Sequence, residues 1–311
     1  MSHHELLSAY KSGDRTFHGA DLQGVDLSGE TLVGIQLLGS NLMGVNLSRS
    51  FLLRSNLQDA FLNWADLSYT KLSEANLAEA DLTKANLSSA FAIKADFNHA
   101  KLSGARLVDA NLRNTNLRRA NLCGANLRGA NLRGADLRGA NLSWACLEGA
   151  RLSGAQMEGA FLHQVNLRGA YLNGLDLSDV NLQGVDLGES RLSGIQLQGA
   201  NLKASSLSSI QGRHSKFTGA DLQGANLTDA LLKHADLKWS NLREADFSGA
   251  DLRGANLLGA KIEGAIFTRA LVSQNLHRYL NQLTEVAPQW DEPSWDEQPS
   301  QTSRMQAIVS R

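Results

Sequence analysis

Proline is almost missing from this chain of 311 residues, which has three prolines where roughly fifteen would be average. All three, Pro288, Pro293 and Pro299, lie close to the C-terminus. Proline fixes φ and lacks an N–H, so it is excluded from hydrogen-bonded β-ladders except at edges and bulges. Its absence before Pro288 indicates that most of the chain forms such ladders and that the C-terminal segment does not.

The other scarcities exclude several classes of protein. Aromatic residues make up only 6% of the chain, so the core must be aliphatic. No apolar run approaches the roughly 18 residues of a membrane span, and the N-terminus lacks the apolar segment of a secretory signal. A net charge of −1 argues against a strongly basic nucleic-acid binder. We therefore expect a cytoplasmic protein without membrane insertion, in which Cys123 and Cys146 are free thiols.

A repeat of five residues dominates the sequence. Every fifth residue from Phe17 to Val272 is apolar except Gly212, and only Ala92 and Gly212 lack the bulk of the usual leucine. The residue before the leucine is often Asn or Asp, the residue two before it is often Ala, and the residue two after it is often Gly. A period of five fits neither a helix nor a strand. The chain must therefore turn once per repeat and bury its leucines by stacking coils.

Two runs carry a family resemblance: Ala120-Asn121-Leu122-Cys123-Gly124 and Ala135-Asp136-Leu137-Arg138-Gly139. Both match the A(D/N)LXX signature of the pentapeptide-repeat proteins, which the chain therefore resembles. The segment before the first repeat is similar to the N-termini of cyanobacterial members. The resemblance implies an all-β fold, a right-handed quadrilateral parallel β-helix with twenty residues per coil and about thirteen coils.

The sequence divides into four parts around this repeat. We predict an N-terminal helical cap over 1–14, the β-helix over 15–272, a C-terminal cap helix over 273–284, and a disordered tail over 285–311. The C-terminal helix rests on Leu276, Tyr279, Leu280 and Leu283 at helical spacing. An alternative role for this helix is to form a homodimer.

One face of the predicted coil, holding residues 31, 51, 71 and onward, retains Asn or Asp least. It provides a candidate apolar strip for a protein partner. The alternative is that these large side chains merely cover neighbouring backbone. The strip consists of Val33, Phe51, Leu53, Phe91 and Ile93.

Residues 101–140 carry a local charge of +6 and provide a second candidate surface, an arginine belt. Residues twenty apart should be stacked, so the paired guanidiniums should repel each other unless an anionic partner binds. A solvated belt is the alternative. Nucleic acid is disfavoured, because no aromatic residue is interleaved for base stacking. The paired residues are Arg113 with Arg133 and Arg118 with Arg138.

The tail carries a repeated Trp-Asp-Glu triplet among its prolines. Because tryptophan is favoured at binding hot spots, we predict a short linear motif for a protein partner. A solubilising tail, or one that folds back on the arginine belt, are the alternatives. The motif residues are Trp290, Asp291, Glu292, Trp295, Asp296 and Glu297.

No catalytic, cofactor-binding or metal-binding motif accompanies the repeat, so we expect neither an enzyme nor a cofactor. The sequence favours a non-enzymatic scaffold or regulator that presents the strip, the belt and the tail to protein partners. The resemblance implies an alternative, since some family members mimic DNA and protect gyrase. Mimicry needs an acidic rod, whereas residues 16–272 carry 25 Lys and Arg against 24 Asp and Glu.

Overall fold

The structure is a computed structural model that describes residues 1–283. It contains two helices, α1 (His3–Lys11) and α2 (Gln274–Leu283), and a long run of parallel β-bridges between them. The predicted tail of 285–311, with both Trp-Asp-Glu triplets, lies outside the described residues.

The bridges show the register of the coil. Each joins a residue to the one twenty positions later, beginning with Thr16 and Gln36 and ending with Asp251 and Leu271. Every bridge is parallel and isolated, so each strand is one residue long and the chain turns within every repeat. Four repeats therefore complete one coil, and residues that differ by twenty stack on one face.

Hydrogen bonds at the turns explain why Asn and Asp recur at the same position of the repeat. In one repeat, the Asn116 side-chain oxygen accepts the Arg118 N–H at 3.2 Å, which closes a local turn. Its amide nitrogen donates to Asp96 Oδ1 at 2.8 Å, one coil earlier. Two residues after each leucine the backbone is left-handed, with φ of 67° at Gly139 and 53° at Arg119. Asn and Asp thus support both the turn and the stacking.

The core is a column of leucine and alanine. Leu122, Ala125 and Leu127 are typical, each with 0–1% exposure. Burial of a leucine side chain contributes roughly 1.5–3 kcal/mol, which is offset by the entropy of ordering the chain. Near the C-terminal end, Phe247 and Phe267 replace leucine and stack with ring centroids 5.2 Å apart.

Both helices contribute apolar residues to this core. Helix α1 begins at a capping box, in which Ser2 accepts the Glu5 N–H and Glu5 accepts the Ser2 N–H. Its Leu6 is fully buried, and Leu7 is nearly so. Leu276 and Leu280 of α2 are also buried in the core.

Four faces follow from the twenty-residue register, and we number them in chain order. Face 1 begins with residues 16–19, face 2 with 21–24, face 3 with 26–29 and face 4 with 31–34. Each face continues at steps of twenty residues. The first, third and fourth residues of each group point outward or line a turn, and the second is buried.

The ladder is interrupted at one place, between the stretches 154–164 and 173–186. On faces 1 and 2 the bridges expected between Gln156 and Asp176 and between Phe161 and Asn181 are missing. The equivalent groups one coil earlier and one coil later are all bonded, as in Leu142 N–H to Phe161 O at 2.8 Å. The N–H groups without an inter-coil bond are those of Gly154, Met157, Gly159, Leu162, Gln164, Asp176, Asn181 and Asp186.

The missing bridges lie on two faces only, although Gly154 on face 4 and Asp186 on face 3 also lack their inter-coil bonds. Bridges on face 4, Arg151 to Tyr171, and on face 3, Asn166 to Asp186, remain intact. A cavity of about 420 Å³ lies at the opening on face 2, between the Phe161 and Asn181 strands. We call this interruption the ladder gap.

Bulky residues at the small position coincide with the ladder gap. Leu175, Val180 and Val185 occupy three consecutive repeats at the position usually held by alanine, and no other three consecutive repeats between Ala20 and Ala270 have bulky apolar residues there. Leu175 and Val185 are buried, so their extra volume is inside the coil. Overpacking of this kind costs about 1–3 kcal/mol when the backbone cannot move. A shift of the backbone that breaks ladder bonds would relieve this overpacking.

Glycine at the left-handed turn position avoids both backbone strain and steric overlap with neighbouring side chains. Substitutions at two positions should separate these two effects. Gly219 and Gly259 share face 1 and have φ of 68° and 71°. A Cβ on Gly219 would meet nothing, whereas one on Gly259 would overlap the Trp239 ring. Gly219→Ala should lower the free energy of unfolding by about 1 kcal/mol, the cost of a left-handed alanine. Gly259→Ala should lower it by about 2 kcal/mol, because the ring must also move.

Urea unfolding of purified variants measures both changes. In a Trp239→Ala background, Gly259→Ala should cost no more than Gly219→Ala does. An equal cost for the two glycines in the native background would show that the Trp239 ring does not restrict this turn.

Candidate interaction face

Face 4 holds most of the unbalanced positive charge of the rod. Its outward positions carry ten basic and two acidic residues, whereas face 1 has five basic and eight acidic, face 2 five and five, and face 3 five and eight. The near-neutral rod is therefore strongly polarised around its axis. The acidic residues of face 4 are Glu74 and Asp251, and the basic ones are Arg54, Lys71, Lys94, Arg113, Arg133, Arg151, Arg191, Arg213, Lys233 and Arg253.

The charge of face 4 is least neutralised in its middle. Its two acids lie towards the ends, where Glu74 pairs with Arg54 at 2.9 Å and Asp251 pairs with Arg253 at 2.8 Å. Between these acids four basic side chains are exposed and make neither an ion pair nor a cation–π contact within residues 1–283. They are Lys94, Arg113, Arg133 and Arg213.

Two aromatic rings on face 4 are covered by cations. The Tyr171 ring lies between two guanidiniums, with Arg191 Cζ 4.5 Å and Arg151 Cζ 5.7 Å from its centroid. Lys71 Nζ lies 3.2 Å from the centroid of Phe91. Each contact holds a cation at the surface and contributes roughly 0.5–1 kcal/mol. These rings are therefore poorly placed to stack on nucleic-acid bases, which need a free π-face.

The apolar strip predicted from the sequence lies at the N-terminal end of the same face. Val33, Phe51 and Phe91 are exposed, at 41%, 42% and 39%, whereas Leu53 and Ile93 are half-buried. The structure thus brings the strip together with Arg113 and Arg133 on face 4. Whether a partner uses the strip stays a prediction.

The other pair of the predicted arginine belt lies on a different face. An acidic residue screens the charge of this pair. Arg118 and Arg138 are on face 1, and Asp136 lies between them. Asp136 accepts Arg138 Nε at 2.8 Å and lies 3.8 Å from Arg118 Nη1. The expectation of bare repulsion was wrong for this pair, because a carboxylate of the repeat already neutralises it. Arg113 and Arg133 have no such acid on their face.

These arginines lower the pKa of the Asp136 carboxyl. The largest cause is the hydrogen bond from the Arg138 side chain, with additional contributions from the Arg138 N–H and the Arg118 charge. A lowered pKa in the folded state means that the ionised carboxylate stabilises the fold. This stability is fully present above the unfolded pKa near 4 and is lost as the pH falls through the folded pKa.

The loss should be measurable as a difference between variants. From about pH 5 to pH 2, the free energy of unfolding should fall less steeply for Asp136→Asn than for the native chain, by about 0.5–1 kcal/mol. Arg138→Gln keeps the acid but removes its main donor, and it should flatten the same slope in part. Parallel slopes for all three proteins would contradict the assignment.

Four strongly exposed aromatic residues of face 2 were not among the residues predicted from the sequence. On face 2, Phe61, Trp64, Trp144 and Phe161 are 51–62% exposed, more than any residue of the strip. The sequence could have predicted their exposure, because phenylalanine occupies the outward Asn/Asp position and tryptophan occupies the position usually held by glycine. Trp144 makes an edge contact with His163 at 5.2 Å, beside the ladder gap.

The described residues do not bring together a set of metal ligands. His214 and His234 stack at 5.1 Å, but residues 1–283 contain no group of three or more His, Cys, Asp or Glu that could hold a metal ion. In the same part of the chain, neither helix has the length and apolar character needed to cross a bilayer.

A profile of pentapeptide repeats matches eight copies in this chain. The matched stretches are 20–59, 60–98, 80–119, 93–129, 115–154, 155–194, 195–233 and 230–269. The chain belongs to the pentapeptide-repeat family. Members of known structure are right-handed β-helices, in agreement with the parallel coil described above. No curated protein sequence matches the chain.

Solved pentapeptide-repeat structures resemble the chain along most of its length. HetL, involved in heterocyst differentiation regulation in the cyanobacterium Nostoc sp. strain PCC 7120, is 29% identical over 88% of this chain and 97% of its own, with a TM-score of 0.23. Rfr23 from the cyanobacterium Cyanothece 51142 is 30% identical over 51% and 97%, with a TM-score of 0.18.

The fluoroquinolone resistance protein QnrB1, which is plasmid-mediated, is 19% identical over 87% of this chain and 100% of its own. Its TM-score is 0.18. Because all three TM-scores are low, these overlays carry no argument about function, and family membership rests on the repeats.

Proposed function

We propose that this pentapeptide-repeat protein is a non-enzymatic interaction scaffold or regulator whose face 4 binds an acidic surface of a protein partner. The observation that carries the proposal is the charge of face 4, ten basic residues against two acidic ones, beside three faces that are neutral or acidic. Such a one-sided field steers an acidic partner to one orientation and raises its association rate.

The coil spacing sets the pattern of this surface. Stacked strands lie about 4.8 Å apart, so Arg113 and Arg133 present guanidiniums at a separation of one coil. Both are exposed and unpaired, hence binding a carboxylate removes their mutual repulsion without breaking an existing ion pair. At the N-terminal end of the face, Val33, Phe51 and Phe91 add apolar area, which orients a partner along the rod.

The rest of the proposed molecule serves presentation. We place thirteen coils between two helices that close the ends of the rod and so prevent end-to-end pairing of exposed strands. The Trp-Asp-Glu triplets of the tail supply a second contact to a partner. A rigid rod loses little conformational entropy on binding, which favours this arrangement over a flexible basic chain.

Protection of gyrase by mimicry of DNA is disfavoured by the same charge distribution. A DNA mimic must present an acidic surface, whereas the strongest field of this rod is basic. In a supercoiling assay with a quinolone present, the purified protein should leave inhibition of gyrase unchanged at stoichiometric amounts.

Capture of partners by two charge-matched variants tests the proposal. One variant is Arg113→Glu, Arg133→Glu and Arg213→Glu on face 4. The other is Arg106→Glu, Arg119→Glu and Lys216→Glu, which are exposed residues on faces 1 and 3. Each changes the net charge by the same amount, so only the location differs.

Immobilised native protein and both variants should be compared by quantitative mass spectrometry of nuclease-treated lysate. We expect acidic proteins that the native chain and the control capture but the face 4 variant loses. Equal capture by all three proteins would contradict the proposal. A second capture from lysate without nuclease would also contradict it if the native chain retained nucleic acid but no protein.

A further inference from the structure

Face 4 and the C-terminal segment have opposite charges within one chain. Residues 285–297 contain five acids and no base, namely Glu285, Asp291, Glu292, Asp296 and Glu297. The rod of 16–272 has its only strong positive field on face 4. The other faces are neutral or acidic, so they would not attract this segment.

The chain also passes directly from face 4 into α2. The last bridge, Asp251 to Leu271, belongs to face 4, and α2 begins three residues later at Gln274. The acidic segment is therefore tethered to the C-terminal end of face 4 through α2, a helix of ten residues or about 15 Å.

The dimensions are compatible. From Leu271 to Arg191 is four coils, or about 19 Å at about 4.8 Å per coil, and to Arg113 about eight coils, or about 38 Å. The thirteen residues of 285–297 span up to about 40 Å when extended. The acids can thus meet Lys233, Arg213 and Arg191 in sequence along the face.

We infer that the acidic segment 285–297 of the same chain occupies face 4 and must be displaced when a partner binds. This inference rests on the proposed function, since it names what covers that surface in the absence of a partner. The occupant is this chain's own segment, because its effective concentration at the face is set by a short connection and exceeds that of a free ligand. The partner's acidic surface then competes for the same cations, which makes the segment autoinhibitory.

Zero-length carbodiimide cross-linking of the full chain tests the inference, because it joins a carboxylate to a lysine in direct contact. Lys94 and Lys233 lie on face 4, whereas Lys203 and Lys261 lie on face 2. Lys261 is close to the C-terminal end of the rod and controls for proximity alone. We expect peptides of 285–297 joined to Lys233 at least tenfold more often than to Lys203 and Lys261, whereas Lys94, about nine coils or about 43 Å from Leu271, lies beyond their reach.

Two further arms define the occupant. In an equal mixture of ¹⁴N- and ¹⁵N-labelled chains, cross-links should join peptides of one isotope only; mixed-isotope links would show that a second copy supplies the segment. The face 4 variant keeps Lys233 but should lose its links at least tenfold, while the control variant keeps them. Equal linkage to both faces, or none to face 4, would overturn the inference.

Competition provides an independent readout with poly-L-glutamate as the probe. Replacing four acids, by Asp291→Asn, Glu292→Gln, Asp296→Asn and Glu297→Gln, should strengthen probe binding to the full chain about tenfold. Unchanged affinity would contradict autoinhibition. If these arms fail while the face 4 variant still loses partners from lysate, the inference falls and the proposed function stands.

Discussion

Amide hydrogen exchange should divide the rod at the ladder gap, with the N–H groups of Met157, Leu162 and Asn181 exchanging at least about 100-fold faster than their register equivalents. The equivalents are Leu137 and Leu177 for Met157, Leu142 and Leu182 for Leu162, and Phe161 and Asn201 for Asn181. All of these donate to a neighbouring coil. Exchange of a bonded amide requires that two coils separate, whereas the gap amides have no inter-coil bond to break.

A pair of matched variants tests the packing cause. Leu175→Ala, Val180→Ala and Val185→Ala restore the usual residue of the repeat, and they should slow exchange at the gap towards the rate of its neighbours. The control makes equivalent truncations at Val25, Ile35 and Val45, which occupy the same repeat position where the ladder is intact. It should leave the gap amides unchanged.

Uniformly slow exchange through 154–186 in the native chain would contradict the ladder gap itself. Fast exchange that persists in the alanine variant would retain the gap but remove the packing explanation. The two outcomes are separable because peptides over 154–164 and 173–186 can be followed individually in both variants.

Charge reversal on face 4 should reduce affinity for poly-L-glutamate about 100-fold at low salt. Reversing three unpaired cations removes three attractions and adds three repulsions, each worth about 0.5 kcal/mol at a protein surface, or about 3 kcal/mol in total. Fluorescence anisotropy with labelled poly-L-glutamate measures this change in the Arg113→Glu, Arg133→Glu and Arg213→Glu variant. The salt dependence should also flatten, because fewer screened pairs contribute.

The control variant makes the result specific to location. Arg106→Glu, Arg119→Glu and Lys216→Glu produce the same net charge but lie on faces that are already acidic. We expect less than about a threefold loss of affinity, since the probe does not contact these faces. Similar losses in both variants would show that net charge, rather than face 4, governs binding.

The fold could be read from the sequence because one period determines it. Leucine at every fifth position requires a turn in every repeat, and the resemblance implied four repeats per coil. The helix at Gln274–Leu283 followed from Leu276 and Leu280 at helical spacing. These features depend on local pattern alone, which a single sequence contains.

The charge of face 4 could also have been predicted from the sequence, but only by summing charges along each face rather than along the chain. A sum over 101–140 mixes all four faces, so it joined Arg118 to Arg113 although the two lie on different sides. Sorting charged residues by steps of twenty separates them. The same sorting places Asp136 with Arg118 and Arg138, and so predicts the ion pairs that the belt interpretation missed.

The ladder gap could not be predicted from residue types. Val25 and Val45 stack at the small position without breaking the ladder, whereas Val180 and Val185 accompany its interruption. The difference depends on how three adjacent large side chains, together with Met157, share the volume inside a coil. Such a packing result requires coordinates.

Arginine-specific labelling of a complex tests the central claim most directly. The protein is treated with phenylglyoxal alone and with a partner recovered by capture, and modified sites are quantified by mass spectrometry. Face 4 as the binding surface predicts protection of Arg113, Arg133 and Arg213 in the complex and unchanged labelling of Arg106 and Arg119. Protection of Arg106 and Arg119 with continued labelling of Arg113 and Arg133 would place the partner on another face and contradict the account.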